Sequence, residues 1–471
     1  MIERLSSDSR RCAPGVAFLA YPGASADGRD HIPEAIARGA SGVLWEAEHY
    51  RWRDEWRLPN APVPGLKQQA GLLAHEFYGR PSEALWTCGV TGTNGKTSCS
   101  QWIAAALSGA GTKCGVIGTL GAGYPGALAD TANTTPDVLE LHRLLAGMRH
   151  DGAAAVAMEV SSHGLDQGRV NGVGFDCALF TNLTRDHLEY HGTMQAYAAA
   201  KAQLFEARGL ACAVLNVDDA LGARLARRLA ARGVRVIGYS LSPVAPGSAG
   251  ETVTAAIVAP ERLEIVSSWG TAKTEFRQLG RFNIANALGV LGCLVAYGMP
   301  FAQAVATLAS LPAVPGRMQR VGDAPLTVVD YAHSPDAIEK VLQALRPAAE
   351  ARGGRLVIVF GAGGDRDGGK RAQMGAVAAR LADRIVLTSD NPRGEDPQAI
   401  LRAIEAGVSA PHAVEPDRAR AIEQALAQAA AADVVLIAGK GHETWQEIAG
   451  ERLPFSDADA ARAALERWRA R

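Results

Sequence analysis

Residues Thr87-Cys-Gly-Val-Thr-Gly-Thr-Asn-Gly-Lys-Thr-Ser98 constrain the fold more than any other stretch. An apolar run, Ala84-Leu85-Trp86, leads in, and Gln101-Trp-Ile-Ala-Ala-Ala-Leu107 reads as the helix that follows. Small residues between a strand and a helix let backbone N–H groups turn inward around phosphate oxygens, and the helix N-terminus adds partial positive charge. Lys96 can then reach the terminal phosphates, and the Thr97 hydroxyl can hold Mg²⁺. The strict phosphate-loop pattern places a glycine at position 90, where this chain has Val90; its glycines are at 89, 92 and 95. The stretch is read as an ATP site built from Gly92, Thr93, Asn94, Gly95, Lys96, Thr97 and Ser98.

A chain of 471 residues has room for three domains of ordinary size. Lys+Arg 48 against Asp+Glu 49 leaves a net charge of −1, which excludes a global basic field for nucleic acid. Seven cysteines without C-x-x-C spacing point to reduced thiols in a cytoplasmic protein, not to a disulfide or zinc framework. Cys88, Cys177 and Cys212 lie in apolar strand-like runs and are expected to be buried. The start has no apolar core of signal-peptide length, and no run approaches the ~18 apolar residues of a membrane span. No membrane insertion is expected.

Over residues 1–80, Phe18–Ala20 and Gly42–Trp45 read as strands around a helix Ile32–Arg38. Pro59, Pro62 and Pro64 are expected to break the chain before a helix Lys67–Tyr78. From residue 83 strands alternate with helices, which argues a parallel sheet wrapped by helices. Strand Ala153–Met158 delivers Glu159 at its carboxyl end, where a phosphate-loop fold holds a second Mg²⁺ ligand. Strand Cys177–Asn182 leads similarly to His187, and residues 251–280 read as a β-hairpin region. After a hinge at Leu311–Gly316, strands Leu326–Val329, Arg355–Phe360, Arg384–Leu387 and Val434–Ile437 each end in a polar or glycine-rich loop. Four such loops define a rim facing one crevice.

Taken in order, Thr91-Gly-Thr-Asn-Gly-Lys-Thr97, Asn133-Thr-Thr-Pro136, Glu159-Val-Ser-Ser-His-Gly-Leu165, Thr181-Asn-Leu-Thr-Arg-Asp-His187, Gly280-Arg-Phe-Asn283, Pro315-Gly-Arg-Met-Gln319, Asp330-Tyr-Ala-His333 and Gly439-Lys-Gly-His-Glu443 resemble the Mur ligase family over nearly the whole chain. The resemblance implies an α/β protein of three domains: a small α/β uridine-nucleotide domain (1–81), a central P-loop parallel-sheet ATPase domain (82–313) and a C-terminal Rossmann-like amino-acid domain (314–471). It implies a cytoplasmic monomer in which ATP phosphorylates the γ-carboxylate of D-Glu in UDP-N-acetylmuramoyl-L-Ala-D-Glu. An amino acid's amine then attacks the acyl phosphate.

Carried over by motif, Lys96 stabilises the migrating phosphoryl group, while Thr97 and Glu159 hold Mg²⁺. His187 ligates a second Mg²⁺ together with Lys201, which the family carbamylates. Thr134, Thr135, Ser161, Gln167 and Arg169 are implied to hold the UDP-muramoyl dipeptide, with Ser7 and Ser9 at its uridine end. Asn283, Arg317, Asp330 and His333 fall where the family contacts ATP. The segment Asp390-Asn391-Pro392-Arg393 matches the motif for meso-diaminopimelate, whose distal carboxylate Arg393 can pair in bidentate fashion. Arg366, Gly439 and Glu443 complete that pocket, Glu443 accepting the ammonium. L-Lysine lacks the distal carboxylate and would leave a buried guanidinium unpaired.

Two departures from the family pattern stand out. The chain reaches the Asp8-Ser9-Arg10 turn early, implying an absent leading helix or a start site elsewhere, and Ala24-Ser25-Ala26 differs before Asp27-Gly-Arg29. The rival readings are a lysine-adding ligase, a folylpolyglutamate synthase and a P-loop switch or motor. The first 80 residues and Asp390–Arg393 oppose the synthase, and no Asn-Lys-x-Asp motif supports a GTPase.

Overall fold

The computed structural model describes every residue except 24–25, 208, 244–249, 260 and 471, so the departures at Ala24 and Ser25 lie outside the described residues. The apolar runs collect into three main sheets. The N-terminal sheet is parallel, in the order Arg4–Ser6, Val16–Ala20, Gly42–Glu46, Asn60–Val63. Its last strand passes through Pro62, in the stretch expected to break the chain. The strand lies at the sheet edge, where a residue without an N–H costs no ladder bond.

Strand Trp86–Thr91 runs through the middle of an eleven-stranded central sheet, between Cys177–Phe180 and Ala155–Glu159. All three are buried and parallel, as their near-continuous apolar sequences require. Helices Lys96–Gly109 and Arg281–Tyr297 pack together over one face. The first begins five residues earlier than expected, because Gly95, in a left-handed conformation, lets the chain enter the helix directly from the loop. The expected hairpin region is a three-stranded antiparallel meander, Glu251–Ala259, Arg262–Ser267 and Gly270–Glu275, that extends the sheet. All seven cysteines are free and buried, six of them in the core between this sheet and the helices on that face.

The third sheet is parallel except for the edge strand Gln319–Asp323, in the order Gln319–Asp323, Leu326–Asp330, Val434–Ala438, Leu356–Phe360, Arg384–Leu387, His412–Val414. The carboxyl ends of its four middle strands form the expected rim. A small hairpin, Trp445–Ile448 with Glu451–Pro454, stands beside it and bridges to Arg393. The first two sheets join where helix Leu66–Phe77 meets helix Val138–His150. Any side chain at Gly71 would place its Cβ 2.1 Å from the Asn171 carbonyl oxygen, so glycine sets this approach. Among the described residues no helix is long and apolar enough to cross a membrane.

Candidate active site

The phosphate loop is shaped by two glycines and tied to its neighbouring strand. Gly92 (φ +148°) and Gly95 (φ +89°) adopt angles that L side chains rarely tolerate. A Cβ would also lie 1.9 Å from the Thr181 hydroxyl at Gly92 and 2.5 Å from Asn286 Oδ1 at Gly95. Thr181 donates to the Asn94 carbonyl at 2.6 Å, and the Asn94 N–H donates to Asn182 Oδ1 at 3.0 Å. Lys96 folds back over the loop, donating to the Gly92 and Thr93 carbonyls at 3.0 and 2.9 Å. Its pKa is lowered by burial, against the pull of Glu159 and Asp186.

Glu159 ends its strand inside the protein, only 1% exposed. Its carboxylate accepts from the Thr97 hydroxyl (3.1 Å), the Thr119 N–H (2.8 Å) and the Thr119 hydroxyl (3.1 Å). Thr97 and Glu159 thus present hard oxygen donors side by side, a set that fits Mg²⁺. Lys201, on helix Met194–Ala202, is also 1% exposed and donates to the Gly92 carbonyl at 2.7 Å, over the Tyr197 ring. Lys96 and Lys201 share that one acceptor. Burial, reinforced by the Lys96 charge, holds the Lys201 pKa well below the ordinary lysine value. His187 adopts φ +53° and stands beside Asp186 (3.5 Å) and the ring of His163 (4.9 Å between centroids). His163 is brought down to about 4 by burial and by His187 and His191.

Lys96, Thr97, Glu159, His163, Asp186 and His187 share a cavity of about 720 Å³ between the central and C-terminal sheets, whose wall does not include Lys201. Thr93–Ser98, Thr134, Thr135, Glu159, Ser161, Arg169, His187 and Asn283 line it from the central side. Arg317, Asp330, His333 and Arg366 line it from the other. The Arg317 guanidinium stacks 4.5 Å over Tyr331 and donates to the Thr97 hydroxyl at 3.3 Å, so the two walls meet at the loop. Asp330 is fixed by the Met318 and Ala332 N–H groups at 2.7 and 2.8 Å, and burial raises its pKa against the pull of Arg317. Burial lowers His333, and Lys370 adds to that shift. Asn283 Nδ2 donates to the Leu279 carbonyl at 2.8 Å.

Arg169 donates to the Thr135 carbonyl (2.9 Å) and forks onto Gln167, which is exposed and does not line the cavity. Ser7 and Ser9 lie off the cavity wall, just past the first strand of the N-terminal sheet. Ser9 is buried and donates to Glu34 at 2.7 Å.

Asp390, Asn391, Pro392, Arg393, Gly439 and Glu443 form a second cluster on the C-terminal rim, off the cavity wall. Arg393 (φ +53°) donates to the Gly364 carbonyl at 2.7 Å, and its N–H is held by Glu447 O at 3.0 Å. Gly363 lies against both Arg393 and Arg366, so the two guanidinium-bearing side chains flank one backbone turn. Asp390 packs on Gly439, where a Cβ would meet its carboxylate at 2.4 Å. Asn391 Nδ2 donates to Glu443 at 2.8 Å.

Sequence reading missed several residues that the fold brings here. Asn286 sits one helical turn beyond Asn283 and packs on Gly95, a signal readable from the i, i+3 spacing. Thr119 and Lys340 line the cavity with no motif to mark them, and Asp186 and Tyr331 line it from inside motifs read only for their neighbours His187, Asp330 and His333.

Comparison with known proteins gives three family-model matches in order: "Mur ligase family, catalytic domain" at residues 1–78, "Mur ligase middle domain" at 90–294, and "Mur ligase, glutamate ligase domain" at 316–441. A UDP-N-acetylmuramoyl-L-alanyl-D-glutamate–2,6-diaminopimelate ligase of Chromobacterium violaceum is 51% identical, covering 99% of this chain and 95% of that one. A ligase of the same name from Ralstonia nicotianae is 51% identical over 98% and 92%. A solved structure of a UDP-N-acetylmuramoyl-L-alanyl-D-glutamate–2,6-diaminopimelate ligase superposes with a TM-score of 0.70 at 36% identity, covering 99% and 95%.

Proposed function

The chain belongs to the Mur ligase family, and from that premise we propose that it joins meso-diaminopimelate to the D-Glu γ-carboxylate of UDP-N-acetylmuramoyl-L-Ala-D-Glu at the expense of ATP. The observation that carries this reading is the meeting of a phosphate loop, a buried carboxylate and a guanidinium from the opposite wall in one cavity, beside an Asp-Asn-Pro-Arg rim. A carboxylate is a poor electrophile with a poor leaving group, so it must be activated. The γ-phosphoryl of ATP passes to the carboxylate oxygen, giving an acyl phosphate and ADP. The amine then attacks the acyl carbon, the C–O bond to phosphate breaks, and the ammonium's protons pass to solvent.

Within that sequence Lys96, the loop N–H groups and Arg317 neutralise the phosphoryl group in transit. Asn283, Asp330 and His333 hold the nucleotide, while Thr134, Thr135, Ser161, Gln167 and Arg169 hold the muramoyl dipeptide, with Ser7 and Ser9 towards the uridine. Thr97 and Glu159 supply oxygen donors for Mg²⁺, which when bound offsets charge between the phosphates and the carboxylate. A carbamate on Lys201 would supply a second carboxylate-like ligand, with His187 as its partner. We assign residues 1–81, 82–313 and 314–471 as the uridine-nucleotide, ATPase and amino-acid domains.

Arg393 and Arg366 receive the distal carboxylate of diaminopimelate, and Glu443 its ammonium, with Asp390, Asn391, Pro392 and Gly439 shaping the pocket. ADP release from ATP, Mg²⁺ and the UDP-muramoyl dipeptide tests the reading, with meso-diaminopimelate compared against L-lysine. Turnover with diaminopimelate alone is expected. Turnover with lysine would retain the ligase and overturn the pocket, and none with either would overturn the reaction.

A further inference from the structure

Beneath the Asp390–Arg393 rim lies a lysine to which the reaction above gives no role. Lys440 is 0% exposed, yet its ammonium has two polar partners in one direction: Asn391 Oδ1 at 2.9 Å and Glu443 Oε2 at 2.8 Å. It also lies over the face of Trp445, 5.5 Å from the ring centroid. A buried ammonium persists only where its charge is met, and Glu443 meets it.

The network has a fixed polarity. Asn391 Oδ1 accepts from Lys440 and also from the Glu447 N–H at 3.0 Å, so its Nδ2 is forced to donate to Glu443 Oε2. That oxygen therefore receives two donors. The other, Oε1, receives none among the described residues, and the Glu443 side chain is 17% exposed. The layer below is equally fixed. Arg418, fully buried, forks onto Asp457 and donates to the carbonyls of Ser389 (3.1 Å) and Ala438 (2.9 Å), clamping the two strand ends that carry Asn391 and Lys440.

We propose that Lys440 is the positioning residue of the amino-acid pocket: it pins Asn391 and one oxygen of Glu443 from beneath, leaving the other oxygen to receive the ammonium of the substrate's distal head. The inference rests on the reading that Glu443 faces diaminopimelate. It also changes the part played by Asn391, whose amide is spent on orienting Glu443. Without Lys440 the carboxylate loses its lower anchor, and with it the geometry that distinguishes an ammonium from a hydrogen at that carbon.

The test compares wild type, Lys440→Met, Glu443→Gln and the double variant with two amine substrates. One is meso-diaminopimelate; the other is 2-aminopimelate, which carries hydrogen in place of the distal amino group. For Lys440→Met, the diaminopimelate KM is expected to rise by about 30-fold, with kcat and the ATP KM within about 3-fold of wild type. The 2-aminopimelate KM should stay within about 3-fold, and the double variant should be no worse than Glu443→Gln, because both changes break one interaction. Equal losses on both substrates, additive effects, or a parallel rise in the ATP KM would overturn the proposal. If Lys440→Met does not fold, Lys440→Gln, which keeps a donor towards Asn391, is judged by the same contrast. Wild type inactive with diaminopimelate would overturn the reaction itself. An active wild type with an unaffected Lys440→Met overturns the positioning role alone.

Discussion

The least ordinary side chain in the site is Lys201. From sequence alone, a lysine on an alanine-rich helix reads as a solvated charge, and only the motif around it suggested otherwise. The fold supplies a physical reason: its amine is buried, shares the Gly92 carbonyl with Lys96, and is pushed towards neutrality by both circumstances. A neutral amine is the form that adds to carbon dioxide; the new N–C bond yields a carbamate and a proton leaves to solvent. The product places a negative charge beside Lys96, where the bare ammonium sets a second positive charge against the first. Protein equilibrated with ¹³C-bicarbonate should therefore show one carbamate carbon resonance, absent from Lys201→Met. That variant should lose activity by at least about 100-fold, as when a preorganised charge-stabilising group is removed. An active enzyme without the resonance would refute the modification.

Elements were legible where burial made their sequences simple. The middle strands of both large sheets, such as Cys177–Phe180 and Val434–Ala438, are apolar runs ending at polar loops, and their positions follow from that contrast. The three- and four-residue edge strands Ala127–Ala129, His412–Val414 and Asn60–Val63 carry exposed, weakly patterned residues, and pairing alone creates them. The same holds for side chains: Lys96 announces itself by motif, whereas Thr119 and Lys440 gain their partners through tertiary contacts about 40 and 50 residues away in sequence.

Helix Val138–His150 adds a role that no periodicity reveals. His142 is fully buried against His75 of helix Leu66–Phe77 and donates through Nε2 to the Asn171 carbonyl at 2.9 Å, its Nδ1 having no partner. Burial lowers its pKa to about 4 from an unfolded value near 6.5. The unfolded chain therefore takes up the proton first. The contribution is complete above pH ~6.5 and is lost as pH falls towards 4, by on the order of 3 kcal/mol at most. Urea unfolding followed across that window should show a flatter pH dependence for His142→Gln, which keeps a donor but cannot titrate. Equal slopes in the two proteins would exclude His142 as the acid-sensitive joint between the first two sheets.

At the scale of the whole molecule, the residues proposed for each substrate are divided unevenly between the walls. Thr134, Thr135, Ser161 and Arg169 all belong to the central side, whereas the nucleotide groups come from both: Lys96 and Thr97 on one, Arg317, Asp330 and His333 on the other. The cluster proposed for diaminopimelate lies on the C-terminal rim, and of its residues Arg366 alone is among those lining the cavity. An amine held there must approach an acyl phosphate held on the central side, so the rim has to move inward for reaction. A ligand shifts such an equilibrium only by its difference in affinity between the open and closed forms. Nucleotide in the proposed site would touch both walls and gain contacts on closing, while the muramoyl dipeptide, held by the residues proposed for it on the central wall, would gain few. Small-angle scattering should therefore show a smaller radius of gyration with a non-hydrolysable ATP analogue and Mg²⁺, and a further decrease when all three substrate sites are filled. The UDP-muramoyl dipeptide alone should leave the radius unchanged. Contraction with the dipeptide alone would move the closing contact to its site, and no contraction under any condition would mean that the amine crosses a gap the protein does not close.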